Sequence, residues 1–332
     1  MKVVFYFELN EVRWVLPDDE LADFRRQFPA VTFVSLEDDT ALPSEIVDAA
    51  VFAGWHYPAE LFEAARELRW IHSASAGVEA NLFPALVASN VVLTNSAGLH
   101  AVSIPEHVLA TMLALARNFA VAMRLQRERQ WDRFAVISGS GGIRELDGSN
   151  LAILGAGAIG RALARKAAAL GMHVRVLRQR SERPVPGAEQ VLAPEALHSL
   201  LGWADFVVLA VPLTAQTRRL IGAAELRAMR SDAFLINIAR GDVVDEAALV
   251  AALRAGAIAG AGLDVFSAEP LPADSALWEL PNALLTPHVS GYTPGYFEKM
   301  LTIFRDNLGR FMAGKPLRNV VDKRLGYVDS GE

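Results

Sequence analysis

Residues 150–160, NLAILGAGAIG, constrain this chain more than any other stretch. An apolar run ends in Gly155-x-Gly157-x-x-Gly160, and an alanine-rich helical pattern, RALARKAAALG, follows at once. A glycine pattern alone recurs in many turns; an apolar strand before it and a helix after it make it a phosphate-binding βα unit. Gly155 permits the tight turn, Gly157 lets the backbone approach a pyrophosphate, and Gly160 lets helix and strand pack closely. The free N–H groups around Ala158 and Ile159, at the helix N-terminus, then face the phosphates. Such a unit needs further parallel strands at its sides.

The rest of the chain supplies them. Over the first hundred residues KVVFYF, VTFVSL, AAVFAG and NVVLTNS alternate with the amphipathic stretches DDELADFRRQF and AELFEAARELRWIH. After the glycine loop come HVRVLRQ, ADFVVLAVP, AFLINIAR, IAGAGLDVF and NALLTPHV, with helical stretches between them. FVVLAV and FLINIA are apolar along most of their length, as parallel strands covered on both faces must be. The expected fold class is therefore α/β with parallel sheets, and 332 residues suggest two domains. Between the two strand series, SIPEHVLATMLALARNFAVAMRLQRERQ reads as one long helix with Pro105 in its first turn, and the aperiodic ISGSGGIRELDGSN breaks it from the next strand. A last helix, GYFEKMLTIFRDNLGRFMAG, ends at Gly314 ahead of Pro316.

Composition removes several function classes. A net charge of −6 speaks against a nucleic-acid partner, because attraction to phosphates needs a positive field. The absence of cysteine excludes disulfides and thiolate metal sites, and no metal site is expected. No segment reaches the roughly 18 uninterrupted apolar residues of a membrane span. The N-terminal run reads as a first strand, broken by Glu8, Asn10 and Glu11, so no membrane contact and a cytoplasmic location are expected.

Past Gly160, helix and strand lead to VLRQRSER, where a dinucleotide enzyme often keeps a carboxylate for the cofactor's ribose. Here stand Arg178, Arg180 and Arg183. A carboxylate would repel a 2′-phosphate; guanidinium forks bind one, which favours NADP(H) and leaves NAD(H) possible. Three later signals fall at strand ends: Arg240 after FLINIA, Asp264 and Glu269 in GLDVFSAEPLP, and His288 in TPHVSG. Singly each has a bland explanation, as an ion pair, surface charge or a turn histidine. Together they supply a fixed cation, a carboxylate and a titratable imidazole, which is what reversible reduction of a 2-keto acid requires. Histidine delivers the proton near neutrality, a carboxylate orients and charges it, and arginine holds the substrate. Asp264 would accept a hydrogen bond from the nicotinamide carboxamide.

The ordered set GAGAIG, VPLTAQT, NIARGDVVDEAALVAAL, GLDVFSAEPLP, LWELPN and TPHVSG resembles the D-isomer-specific 2-hydroxyacid dehydrogenase family, over most of the chain. The resemblance implies two doubly wound, Rossmann-like or flavodoxin-like domains with the active site in the cleft. Residues 1–100 with 295–332 would be the substrate domain and 101–294 the dinucleotide domain. It implies a catalytic set of Arg240, Glu269 and His288. Further cofactor contacts are implied from Gln179, Val211, Pro212, Thr217, Ile238, Gly291 and His288. Substrate carboxylate would be bound at the amides of Ala76, Gly77 and Val78. His100 stands where many relatives carry threonine or valine, and either touches substrate or lies on the surface; Trp55 and Tyr57 either shape the pocket or simply pack. The resemblance further implies a homodimer through the dinucleotide domain, with AMRLQRERQWDRF as the arm on the partner. The expected activity is reduction of a small 2-keto acid such as glyoxylate or hydroxypyruvate. Two other readings stay open: a phosphoglycerate-type biosynthetic dehydrogenase, weakened because no added regulatory domain is seen, and a dinucleotide-sensing corepressor.

Overall fold

Each apolar run forms a strand because it can be covered on both faces. The computed structural model describes residues 1–9 and 12–328, so Asn10, Glu11 and residues 329–332 lie outside the described residues. The chain divides into two compact units, residues 1–99 with 294–332 and residues 100–293.

The first unit carries β1 (Lys2–Leu9), β2 (Val12–Trp14), β3 (Thr32–Ser35), β4 (Val51–Gly54), β5 (Trp70–Ser73) and β6 (Val92–Asn95). β1, β4, β5 and β6 lie side by side in parallel, and β3 adds in parallel to the other edge of β1. This is the flavodoxin-like strand order. β2 is the exception, folding back antiparallel on the end of β1 with Trp14 opposite Phe7. The helix Tyr296–Met312 returns to cover this sheet, and its Phe304 ring lies 5.2 Å from Phe5 and 5.1 Å from Trp70. The stretch AELFEAARELRWIH reads as amphipathic but makes only a single 3-10 turn, Ala59–Leu61, before β5. Ala65 and Leu68 reach the core from turns rather than from a helix.

The second unit is a seven-stranded sheet with every neighbouring pair parallel. Its strands are β7 (Asn150–Leu154), β8 (His173–Leu177), β9 (Gln190–Leu192), β10 (Phe206–Leu209), β11 (Phe234–Asn237), β12 (Gly260–Leu263) and β13 (Ala283–Leu285). The order β13-β12-β11-β10-β7-β8-β9 reverses direction between β10 and β7, the switch point where open α/β sheets bind ligands. β10 and β11 are buried at every residue.

The long helix expected from Ser103 is two helices, Ser103–Ala116 and Phe119–Arg127, bent by 68°. The break is at Asn118, in the left-handed region at φ 51°. Asparagine tolerates that conformation better than most side chains, and the Asn118 amide is held by the Val136 carbonyl at 2.9 Å. Among the described residues no single helix is long and apolar enough to cross a membrane.

Candidate active site

The glycine loop sits at the switch point and fits a dinucleotide. Gly155 is at φ +108°, and a Cβ there would lie 2.3 Å from the Ala210 carbonyl oxygen at the end of β10. A Cβ on Gly160 would lie 2.1 Å from the Gly155 oxygen, so helix Ala158–Ala169 could not seat against the loop with any other residue there. At Gly157 the same test meets nothing within 4 Å, which leaves open space over the helix N-terminus, where Ala158 and Ile159 begin the first turn. No side chain caps that end, so its N–H groups remain available to an anion.

Arg178 follows β8 and is half-buried, whereas Gln179 and Arg180 are exposed. Partial burial and the neighbouring charges of Arg183, Arg161 and Arg180 lower the Arg178 pKa, against the opposing charge of Glu182. Such a cluster of like charges calls for an anion. Arg183 Nη1 is buried without a hydrogen-bond partner. Arg161 was not singled out from the sequence, although it directly follows Gly160; its Nη1 donates to the Ala156 carbonyl at 3.1 Å and braces the loop.

Val211, Pro212 and Thr217 form the turn after β10. The Thr217 hydroxyl donates to the Pro212 carbonyl, and Thr214 N–H donates to Thr217 Oγ1 at 2.8 Å. Ile238, next to the end of β11, is buried.

At the ends of β11, β12 and β13 the structure brings together the charged residues singled out above. Arg240 is half-buried, and its guanidinium donates to its neighbour's carbonyl, Ala239 O, at 2.7 Å. Gly241 lies so close to the chain leaving β12 that a Cβ would sit 1.9 Å from the Phe266 carbonyl carbon. The same chain carries Glu269, whose Oε1 accepts from Phe266 N–H at 2.9 Å and whose Oε2 is 2.7 Å from His288 Nδ1. The Glu269 hydrogen bond holds the His288 imidazole above its ordinary pKa, against partial desolvation and the Arg240 charge. Burial works to raise the Glu269 pKa, but His288, the Phe266 amide and Arg240 outweigh it and hold it below the usual carboxylate range. The pair thus favours imidazolium beside carboxylate. With Nδ1 occupied by Glu269, Nε2 is the nitrogen left for chemistry.

His288 itself has φ +52°, an uncommon conformation for a non-glycine residue. Asp264 enforces it. Its carboxylate, 1% exposed, accepts from Thr286 Oγ1 at 2.6 Å and from the amides of Val289 and Ser290, each at 2.9 Å. Three acceptor positions therefore go to the turn that carries His288, and what Asp264 can offer a nicotinamide carboxamide is the remaining capacity of Oδ2. Thr286 opens the TPHVSG motif but was not singled out, and His107, whose Nε2 is 3.3 Å from Thr286 Oγ1, carries no sequence motif that would have marked it. His100 is engaged with the same turn: its Nδ1 lies 3.0 Å from the Gly291 carbonyl oxygen, so the ring packs on Gly291.

In the first unit, Ala76 and Gly77 are half-buried and Val78 buried, in the loop after β5. Trp55 and Tyr57 are buried, and Trp55 packs on Phe7 and Phe297 within the core.

The fold and this site define an NAD(P)-dependent oxidoreductase. Residues 109–290 match the family described as D-isomer specific 2-hydroxyacid dehydrogenase, NAD binding domain, and the chain belongs to that family. Its cofactor is a nicotinamide dinucleotide. The chain is 35% identical over 274 residues to a glyoxylate reductase of Korarchaeum cryptofilum, covering 80% of each sequence. It is 33% identical over 316 residues to glyoxylate/hydroxypyruvate reductase B of Citrobacter koseri, covering 93% of this chain and 96% of that one. Among solved structures, an NADPH-dependent glyoxylate/hydroxypyruvate reductase from Sinorhizobium meliloti, in complex with NADP and sulfate, superposes with a TM-score of 0.83 at 27% identity. That match covers 98% of this chain and 99% of the other.

Proposed function

We propose that this protein reduces a small 2-keto acid to the D-2-hydroxy acid with NADPH, glyoxylate and hydroxypyruvate being the first acids to test. The observation that carries the reading is the 2.7 Å contact of Glu269 Oε2 with His288 Nδ1, which raises the imidazole pKa within electrostatic reach of Arg240. The bound dinucleotide supplies a hydride. As that hydride reaches the keto carbon, charge grows on the carbonyl oxygen, and His288 Nε2 gives it a proton. Glu269 stabilises the charged ring beforehand and keeps its orientation as it becomes neutral. Arg240 holds the substrate's carboxylate or carbonyl oxygen and orients the carbon for attack. The amides of Ala76, Gly77 and Val78 take the substrate carboxylate.

The preference for NADPH rests on Arg178, Arg180 and Arg183, whose like charges crowd one another after β8. The Sinorhizobium and Citrobacter relatives, named for glyoxylate and hydroxypyruvate, support the choice of substrates. A homodimer through the dinucleotide domain is supported by exposed apolar side chains on one stretch: Phe119 54%, Met123 55%, Trp131 94% and Phe134 74% exposed.

The test measures kcat/KM for a panel of 2-keto acids with NADH and NADPH side by side, in the unmodified chain, His288→Ala and Arg178→Asp. His288→Ala is expected to lose about 10²- to 10⁴-fold in reduction, the usual worth of a general acid. Arg178→Asp is expected to move selectivity toward NADH. Full activity in His288→Ala would sink the mechanism, and unchanged selectivity in Arg178→Asp would return that loop to plain surface.

A further inference from the structure

The function proposed above gives a substrate carboxylate to the amides of Ala76, Gly77 and Val78, and this inference rests on that reading. Among the described residues none of these three N–H groups donates to a protein acceptor. The carbonyls behind them, in contrast, are held. Ser96 N–H donates to the Ser75 oxygen at 3.1 Å, and Asn95 Nδ2 donates to the Ala76 oxygen. In a planar trans peptide the C=O and the following N–H point in opposite directions. Pinning the Ser75 oxygen therefore aims the Ala76 N–H, and pinning the Ala76 oxygen aims the Gly77 N–H, both away from the end of β6. Two successive free donors facing the same way make a concave anion site of backbone dipoles.

We infer that Asn95 is a positioning residue for carboxylate recognition: its side-chain amide fixes the peptide plane whose N–H, that of Gly77, binds the substrate. Asn95 is 3% exposed, and its Oδ1 accepts from Ala97 N–H at 3.1 Å. That bond settles which way the amide is turned, so the donor end faces the Ala76 carbonyl. Asn95 is in turn clamped by the chain returning after the last helix. Its N–H donates to the Asn319 carbonyl at 3.2 Å, and Asn319 Nδ2 donates to the oxygens of Asn95 and Ala97 at 3.2 and 2.9 Å. Asn319 holds this pose at φ +55°. One residue earlier, the fully buried Asn307 grips both backbone groups of Arg318, at 3.0 and 2.8 Å.

The other brace has a fixed foundation too. His72 is fully buried, and burial pushes its pKa down to about 3, so the ring is neutral. Trp70 Nε1 donates to Thr94 Oγ1 at 2.8 Å, and because Ser96 Oγ donates to the Ser73 carbonyl at 3.2 Å, the His72 proton sits on Nε2 and Nδ1 accepts from Thr94 Oγ1 at 2.8 Å. His72 Nε2–H is left facing Ser96 Oγ at 3.4 Å. The residue whose amide holds Ser75 is thus seated on a wired, uncharged core, and the aim of the loop does not change with ordinary pH.

Asn95→Asp tests the assignment, because it keeps size and the Ala97 bond but loses the donor to Ala76. The expected result is a KM for the keto acid raised about tenfold, the weight of one charge-assisted hydrogen bond, with far less change in kcat at saturation. The Kd for NADPH, read by fluorescence, should stay at the wild-type value. Asn319→Gly removes the clamp at a backbone angle glycine accepts; it should raise KM in the same direction by less, and it carries the test if the first variant does not fold. An unchanged KM in a folded variant, or KM, kcat and the NADPH Kd all moving together, would overturn the inference. An unmodified chain that reduces no keto acid would overturn the proposed function itself, and this inference with it.

Discussion

Gly241→Ala adds one methyl group, at a place where the structure has no room for it. The new Cβ would lie 1.9 Å from the Phe266 carbonyl carbon, 2.1 Å from its oxygen and 2.3 Å from the Ser267 nitrogen. All three are backbone atoms, so no side chain can swing aside; the two strand ends must separate by about 1.5 Å to reach an ordinary contact. Arg240 rides on one of those segments. Glu269 rides on the other, through the 2.9 Å bond from Phe266 N–H. A displacement of about 1 Å or more between groups proposed to orient substrate and proton donor costs on the order of 10²-fold in rate. Overpacking of this kind also costs about 1–3 kcal/mol of stability. The assay is keto-acid reduction followed by NADPH absorbance, with thermal melting and NADPH binding measured on the same preparations. We expect kcat/KM to fall about a hundredfold and the melting temperature by several degrees, with NADPH still bound, because the glycine loop after β7 is untouched. Wild-type kcat/KM together with a wild-type melting temperature would refute the close approach on which the reasoning stands.

Glu269→Gln removes the charge that holds His288 above its ordinary pKa. Reduction needs the imidazolium, so its rate is full below the His288 pKa and is lost as pH rises through it; a lowered pKa moves that loss to lower pH, while oxidation of the hydroxy acid, which needs the neutral ring, gains at lower pH. A pH profile of kcat/KM that does not move would show that Glu269 does not set the proton donor. For the dimer, Trp131→Asp with Phe134→Asp should shift the mass in light scattering toward the 36.0 kDa of one chain, and an unchanged mass would remove this face from the interface.

The parallel strands were legible because burial on both faces leaves a compositional mark: Phe206–Leu209 and Phe234–Asn237 are buried at every position and apolar at nearly every one. The bend at Asn118 left no such mark. A sequence shows that an asparagine can adopt a left-handed conformation, but not that a carbonyl 18 residues away, on Val136, will hold it there. AELFEAARELRWIH shows the converse case, in which apolar spacing suits a helix while Ala65 and Leu68 reach the core from turns.

The same division runs through the candidate site. Arg240, Glu269 and His288 could be singled out because the roles proposed for them demand particular side chains, a fixed cation, a carboxylate and an imidazole. Gly155 and Gly160 could be singled out because close approach of the backbone excludes every other residue. Asp264 was legible as a carboxylate at a strand end, yet its bonds to the two amides that follow His288 were not. Asn95 and Asn319 were not legible at all, since an asparagine reads as a turn residue anywhere, and their bonds reach 19 and 224 residues along the chain. Residues that touch a ligand must have its complementary chemistry, and that chemistry is written in their type. Residues that aim a backbone amide need only one donor in the right place, and any of several side chains could provide it. Their function is therefore carried by contact rather than by kind, which is why the brace behind Ala76 and Gly77 emerged only from the fold.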